Sequence, residues 1–143
     1  MVLPPEAILK SVLVWVAILV LAVLNGVLRE SFLLPAVGAR AALSASGILL
    51  ALCIAGVACV AAPWFGRLSG TAYWAIGTLW LSLTLGFEFA FGYLYQNKPW
   101  RVLLEAYTFE GGNIWPVVLA VTFMSPWLGA RIRGLIREAP GVR

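Results

Sequence analysis

The sequence predicts an all-α protein, a four-transmembrane-helix bundle with a short amphipathic interfacial helix in the third loop. Two observations predict this fold class. First, 62% of the 143 residues are hydrophobic and 11% are charged, whereas a soluble domain carries about 25% charged residues. Second, the hydrophobic residues form four runs almost free of charge, each close to the ~20 residues with which a helix crosses a bilayer. Unpaired backbone amides cannot face lipid, so such runs form helices.

The four runs define one polytopic membrane domain over residues 1–143. No charged residue lies between Lys10 and Arg29 or between Arg40 and Arg67, and the third run contains a single charged residue, Glu88. The fourth run contains none. The predicted spans are Ala7–Leu28, Ala42–Ala62, Ala72–Tyr95 and Ile114–Ile132.

Apolar side chains recur in the third loop at the spacing of one helical face, which is i, i+3, i+4 and i+7. They are Trp100, Leu103, Leu104 and Tyr107. Arg101 and Glu105 are four residues apart and fall on the outer side. This pattern predicts a short amphipathic helix that lies in the membrane surface or folds over the mouth of the bundle.

The sequence also excludes several kinds of site and partner. It contains no histidine and no aspartate, so neither Ser-His-Asp and Cys-His catalytic sites nor histidine-ligated metal and haem sites can form. Cys53 and Cys59 are six residues apart in one helical run, on sides of the helix too far apart for a disulfide. We expect no metal, no cofactor and no nucleic acid. The expected partners are the lipid bilayer and a homo-oligomer or larger membrane complex.

Basic residues indicate the orientation in the membrane. With four spans, both termini and the second loop lie on one side. That side carries six basic residues and the other side carries four. Because lysine and arginine are enriched in cytoplasmic segments, we expect both termini to be cytoplasmic.

The candidate site residues lie near the ends of the first and third spans. An ionisable group inside a span costs about 2.5–3.5 kcal/mol on insertion scales, so Glu88 needs a partner or a function. Asn25 and Arg29 are four residues apart on one helical face, and Glu30 follows. The topology places these residues at the same end as Glu88. An ion pair between Arg29 and Glu88, with Asn25 beside it, is the simplest arrangement that buries all three.

This cluster has a structural and a functional interpretation. In the structural one, the ion pair joins the first and third helices and fixes their rotation. In the functional one, Glu88 is a proton or cation site, Arg29 is its counter-charge, and Glu30 or Glu105 leads to water. A membrane enzyme acting on lipid or quinone would need Glu30, Glu88, Glu105 or Tyr107 as its acid or base.

Small residues recur every four positions along the second span. They are Gly47, Ala51, Ala55 and Cys59. Such a stripe permits two helices to approach closely, either within the bundle or between subunits. In the last span, Pro126 is expected to kink or loosen the helix.

Two segments, NGVLRE at 25–30 and GFEFAFG at 86–92, carry a resemblance to a known group. Together with Trp100, Leu103, Leu104, Tyr107 and Trp115, they make the chain similar to small, uncharacterised four-helix proteins of the bacterial inner membrane. The resemblance implies that architecture and that location, and it implies no activity. The chain departs from the group after Pro35, where residues 36–43 are less polar.

These observations lead to an expected function and an alternative. The small size, the stripe of small residues and the lack of a catalytic constellation favour a non-catalytic membrane subunit that self-assembles or serves a larger complex. The alternative is a small proton- or cation-linked transporter or channel that uses Glu88 together with Arg29 and Asn25.

Overall fold

Four long helices make up most of the residues that the computed structural model describes, which are 3–95, 97, 99, 101 and 114–137. All four are long and apolar enough to cross a membrane. The predicted all-α, four-helix fold class is therefore confirmed. The helical and extended elements are α1 (Pro5–Leu28), the π-helix π1 (Arg29–Leu33), α2 (Leu34–Val37), α3 (Ala39–Phe65), β1 (Leu68–Ser69), α4 (Gly70–Ala90), the π-helix π2 (Phe91–Tyr95), α5 (Trp115–Ile132) and β2 (Ile136–Arg137).

The first helix extends further than predicted. The chain stays helical through π1 and α2, so the first span runs over Pro5–Val37. Its 33 residues would reach about 50 Å at the rise of an α-helix. Arg29 and Glu30 do not end the helix, because they are taken into the wider π turn. The turn to α3 is instead made at Gly38, whose φ of 88° suits glycine.

The helices are arranged around the bundle in the order α1, α3, α5, α4. The most extensive packing is between α3 and α5, followed by α4 with α5 and α1 with α3, while α1 touches α4 only slightly. Two glycines permit the closest approaches. A Cβ at Gly129 would lie 3.0 Å from the backbone of Ala58 and Cys59, and one at Gly77 would overlap the carbonyl oxygen of Phe123. The helix α5 therefore packs closely against both α3 and α4, and it runs through Pro126 without interruption.

Both ends of the described chain meet at one end of the bundle. Lys10 Nζ donates a hydrogen bond to the carbonyl oxygen of Trp64, 3.2 Å away, and Arg133 Nη1 donates to that of Cys59 at 3.3 Å. The strands β1 and β2 pair in parallel, which places the chain after α5 beside the turn between α3 and α4. We call this the basic end, because Lys10, Arg67, Arg131 and Arg133 lie there. The N-terminus, the second loop and the chain after α5 share one side, as the four-span topology predicts.

The predicted amphipathic helix lies outside the described residues, except for isolated positions. Arg101 is described, with helical backbone and an exposed side chain. Glu105 and Tyr107 fall in the part of the chain that the structure does not describe.

Candidate functional site

Glu88 lines a small, partly enclosed cavity inside the bundle. It is half-buried in the last turn of α4, and the amide of Phe91, the first residue of π2, donates to the carbonyl oxygens of Glu88 and Phe87. The cavity has a volume of about 60 Å³, and all four long helices contribute to it. Its lining includes Trp15, Ile18 and Ala22 of α1, Leu50 and Ile54 of α3, Thr84, Phe87 and Glu88 of α4, and Trp115, Val118 and Thr122 of α5.

Hydrogen bonds hold three polar side chains of the cavity wall. Trp15 Nε1 donates to Thr84 Oγ1 at 3.0 Å, and Thr84 Oγ1 donates to the carbonyl oxygen of Trp80 at 2.7 Å. Across the cavity, Thr122 Oγ1 donates to the carbonyl oxygen of Val118 at 2.8 Å. Each threonine hydroxyl thus has a bound donor hydrogen and keeps acceptor capacity. The wall is mostly apolar and contains a few oxygen atoms.

The size and lining of the cavity limit what it can hold. A water molecule needs at least about 10–15 Å³ of this kind of volume, so there is room for water or for one small cation. A proton or a monovalent cation can bind an ionised carboxylate at Glu88. Carboxylate and hydroxyl oxygens are ligands that hard cations prefer. The arrangement can therefore bind a proton or a small cation away from bulk water.

Arg29 does not form the expected ion pair with Glu88. Its Nε lies 3.4 Å from Glu30 Oε1, and its Nη1 donates to Ser46 Oγ at 3.3 Å. The reason is the order of the helices. The helix α1 packs mainly against α3, which carries Ser46, and touches α4, which carries Glu88, only slightly.

Asn25 lies one turn before Arg29 and is 7% exposed. Its Nδ2 has no hydrogen-bond partner among the residues that the structure describes. Asn25 follows Ile18 and Ala22, which line the cavity, at helical spacing along α1. The structure thus brings Asn25, Arg29 and Glu30 together at the end opposite the basic end, beyond the cavity, and Arg29 pairs with Glu30 and not with Glu88.

The two ends of the stripe of small residues on α3 make contacts within the chain. Gly47, Ala51, Ala55 and Cys59 are all half-buried. A Cβ at Gly47 would lie 2.5 Å from Cγ1 of Ile114, and Gly129 of α5 approaches the backbone of Cys59. Both ends of the stripe therefore pack at or near α5.

Sequence reasoning missed Trp15 and Thr122 as cavity residues. Trp15 offered a signal, because it lies well inside the first span and not at a membrane interface. A buried indole N–H usually finds an acceptor, and here the acceptor is Thr84. Thr122 offered no signal, since a threonine in a span commonly donates to its own helix backbone, as it does here.

The chain was compared with models of protein families, curated proteins and solved structures, and none of them matches it. The resemblance carried by residues 25–30 and 86–92 stays a prediction.

Proposed function

We propose that this protein is a small proton- or cation-linked membrane transporter whose ion-binding group is Glu88. The observation that carries the proposal is the cavity that Glu88 lines inside the bundle. A carboxyl group within a span is costly, and such groups mark ion or proton pathways in many membrane proteins. The cavity provides the volume and the oxygen atoms that a bound proton or monovalent cation requires.

Two further features support this function. The π-helix π2 begins three residues after Glu88, and short π-helical segments occur often at functional sites. On α1, Asn25 and Arg29 lie one and two turns beyond Ala22, a cavity residue, and supply polar groups between the cavity and that end of the bundle.

Ion flux into liposomes tests the proposal. Purified protein is reconstituted with a pH-sensitive dye inside, and proton uptake is followed under imposed gradients of protons, Na⁺ and K⁺. We expect flux from the unmodified protein and none from Glu88→Gln, because the amide binds neither a proton nor a cation. Glu6→Gln is the matched control, since Glu6 is an exposed carboxyl group outside the cavity and its loss should leave flux unchanged. Circular dichroism and size-exclusion chromatography verify that each variant is folded.

A second candidate function is a non-catalytic subunit of a larger membrane assembly. The observation that favours it is the tip of the α1–α3 hairpin, where Phe32 is 67% and Val37 55% exposed on a helix longer than a bilayer requires. On this proposal the tip contacts a partner subunit. The unmodified protein would then show no flux of protons, Na⁺ or K⁺, which overturns the transporter, and Glu88→Gln would lower only assembly or stability.

We also propose a location for either function. The basic end carries Lys10, Arg67, Arg131 and Arg133, and positive residues are enriched on cytoplasmic sides. Together with the resemblance, this charge distribution favours a bacterial inner membrane with both termini in the cytoplasm.

A further inference from the structure

An open groove runs along the outside of the bundle between α1 and α3. Its volume is about 650 Å³, within the ~300–1,000 Å³ of typical ligand sites. All the residues that line it are apolar. Part of the lining consists of small residues, which are Ala17 on α1 and Gly56 and Ala61 on α3. A Cβ at Gly56 would meet no atom within 4 Å. The groove exists because these positions carry small residues instead of leucine or valine.

The groove is as long as one leaflet of a bilayer. Its lining runs from Leu13 to Leu21 on α1 and from Cys53 to Trp64 on α3. At the rise of an α-helix these segments measure about 12 Å and about 16 Å, or roughly half of the ~30 Å hydrocarbon core. The groove begins at Trp64, at the basic end, and ends near mid-bilayer. This extent suits one acyl chain, whereas a partner transmembrane helix would need a surface that continues through both leaflets.

A cationic group lies where the groove meets the membrane surface. Lys10 Nζ donates to the carbonyl oxygen of Trp64 at 3.2 Å and lies 5.5 Å from the centroid of the Trp64 ring. The Lys10 ammonium group has three donor hydrogens. Among the residues described, Lys10 forms an ion pair with no carboxylate. Arg133, which donates to the carbonyl oxygen of Cys59 on α3, adds positive charge at the same end. The charge at the mouth of the groove therefore complements an anionic headgroup.

We propose that the groove between α1 and α3 holds one acyl chain of an anionic phospholipid whose phosphate binds Lys10. The chain packs against the small residues on both helices, and the phosphate accepts hydrogen bonds from the free ammonium donors. The groove lies on the outside of the bundle and the Glu88 cavity lies inside it, and the two share no lining residue. Either proposal can therefore fail without the other.

Native mass spectrometry of the reconstituted protein tests this site. The protein is reconstituted in equal amounts of phosphatidylglycerol and phosphatidylcholine and extracted in a mild detergent, and the retained lipids are identified by mass. Gly56→Leu fills the groove. Gly86→Leu is its matched control, because a Cβ at Gly86 also meets no atom within 4 Å, but Gly86 lies on α4 and outside the groove. Lys10→Gln removes the ammonium group. Arg131→Gln removes one charge from the same end, over the Trp127 ring and outside the groove.

We expect the unmodified protein and both controls to retain one phosphatidylglycerol molecule and Gly56→Leu to lose it. Lys10→Gln should lower the preference for phosphatidylglycerol about fivefold, as expected for one basic residue near an anionic surface. Equal retention by Gly56→Leu and Gly86→Leu, or an unchanged preference in Lys10→Gln, would overturn the proposal.

A photoreactive lipid locates the acyl chain and keeps the proposal testable if Gly56→Leu does not fold. Phosphatidylglycerol with a diazirine in its acyl chain should cross-link to α1 near Ala17 and to α3 near Gly56. Cross-links confined to other helices, or a second protein chain captured in the groove, would show that the occupant is not this lipid.

Discussion

Trp80 and Tyr73 show how polar atoms of aromatic side chains are satisfied inside the bundle. Both residues are completely buried. Trp80 Nε1 donates to the carbonyl oxygen of Ser11 at 2.9 Å, which links α4 to α1. The single Tyr73 hydroxyl hydrogen is shared between the carbonyl oxygens of Ala62 and Gly66 at the end of α3, where the Gly66 amide also donates to the Ala62 carbonyl. These hydrogen bonds fix the positions of α1, α3 and α4 relative to one another along the bundle axis.

Replacing Trp80 tests how much such a hydrogen bond contributes to the free energy of unfolding. Trp80→Phe should lower the free energy of unfolding by about 1–3 kcal/mol, because a buried N–H···O bond and part of the ring volume are lost. Trp74→Phe is the control, since Trp74 is half-buried and stacks on Trp127. Unfolding in mixed micelles with increasing dodecyl sulfate measures both. If Trp74→Phe lowered the free energy of unfolding as much as Trp80→Phe, the result would contradict this role of the Trp80 hydrogen bond.

At the scale of the elements, glycine determines how closely the helices approach. The backbone of α5 touches α4 at Gly77 and α3 at Gly129. Without a hydrophobic driving force between helices in lipid, close packing is a main source of their association. The two glycines therefore contribute to stability by letting backbones meet, although glycine is a poor helix former.

A pair of alanine substitutions separates these two effects. Gly86→Ala should be neutral or stabilising by up to about 1 kcal/mol, because alanine favours the helix and nothing obstructs its Cβ. Gly77→Ala should destabilise by at least about 1 kcal/mol, because its Cβ overlaps the Phe123 carbonyl and overpacking outweighs the gain. The same micelle titration measures both variants. Equal stability would show that α4 and α5 are not in backbone contact there.

At the scale of the whole molecule, contacts at the basic end bring distant parts of the chain together. Lys10, Trp64 and the pairing of β1 with β2 place the start of α1, the second loop and the chain after α5 at one end. The tip of the first hairpin, around Gly38, lies at the other end. The bundle therefore has an even number of crossings, with its exposed tip on the side away from both termini.

Cysteine labelling in cells tests this topology and its orientation. In a background with Cys53→Ala and Cys59→Ala, Val37→Cys should react with a membrane-impermeant maleimide from outside, because Val37 is exposed at the tip. A cysteine added after Arg143 should react only after permeabilisation. Labelling of both positions from one side would contradict the four-crossing fold. The reverse pattern would keep the fold and overturn the cytoplasmic location of the termini.

The sequence by itself determined the four long apolar helices, the third and fourth spans to within two residues, and Glu88 as an ionisable residue that is energetically costly inside a span. These properties follow from hydropathy, which acts locally along the chain, so they can be read without knowing which helices are neighbours. The end of the first helix could not be read in this way. A π turn takes in Arg29 and Glu30, and whether charged residues end a helix depends on the partners that the fold provides.

Only the tertiary structure decided the partners of the polar residues and the two cavities. Arg29 reaches Ser46 and not Glu88 because α3, and not α4, is the main neighbour of α1. The cavity at Glu88 requires residues from all four long helices, and the groove requires small residues of α1 and α3 to face each other. Such arrangements depend on the order and rotation of whole helices, which are set by packing across the bundle.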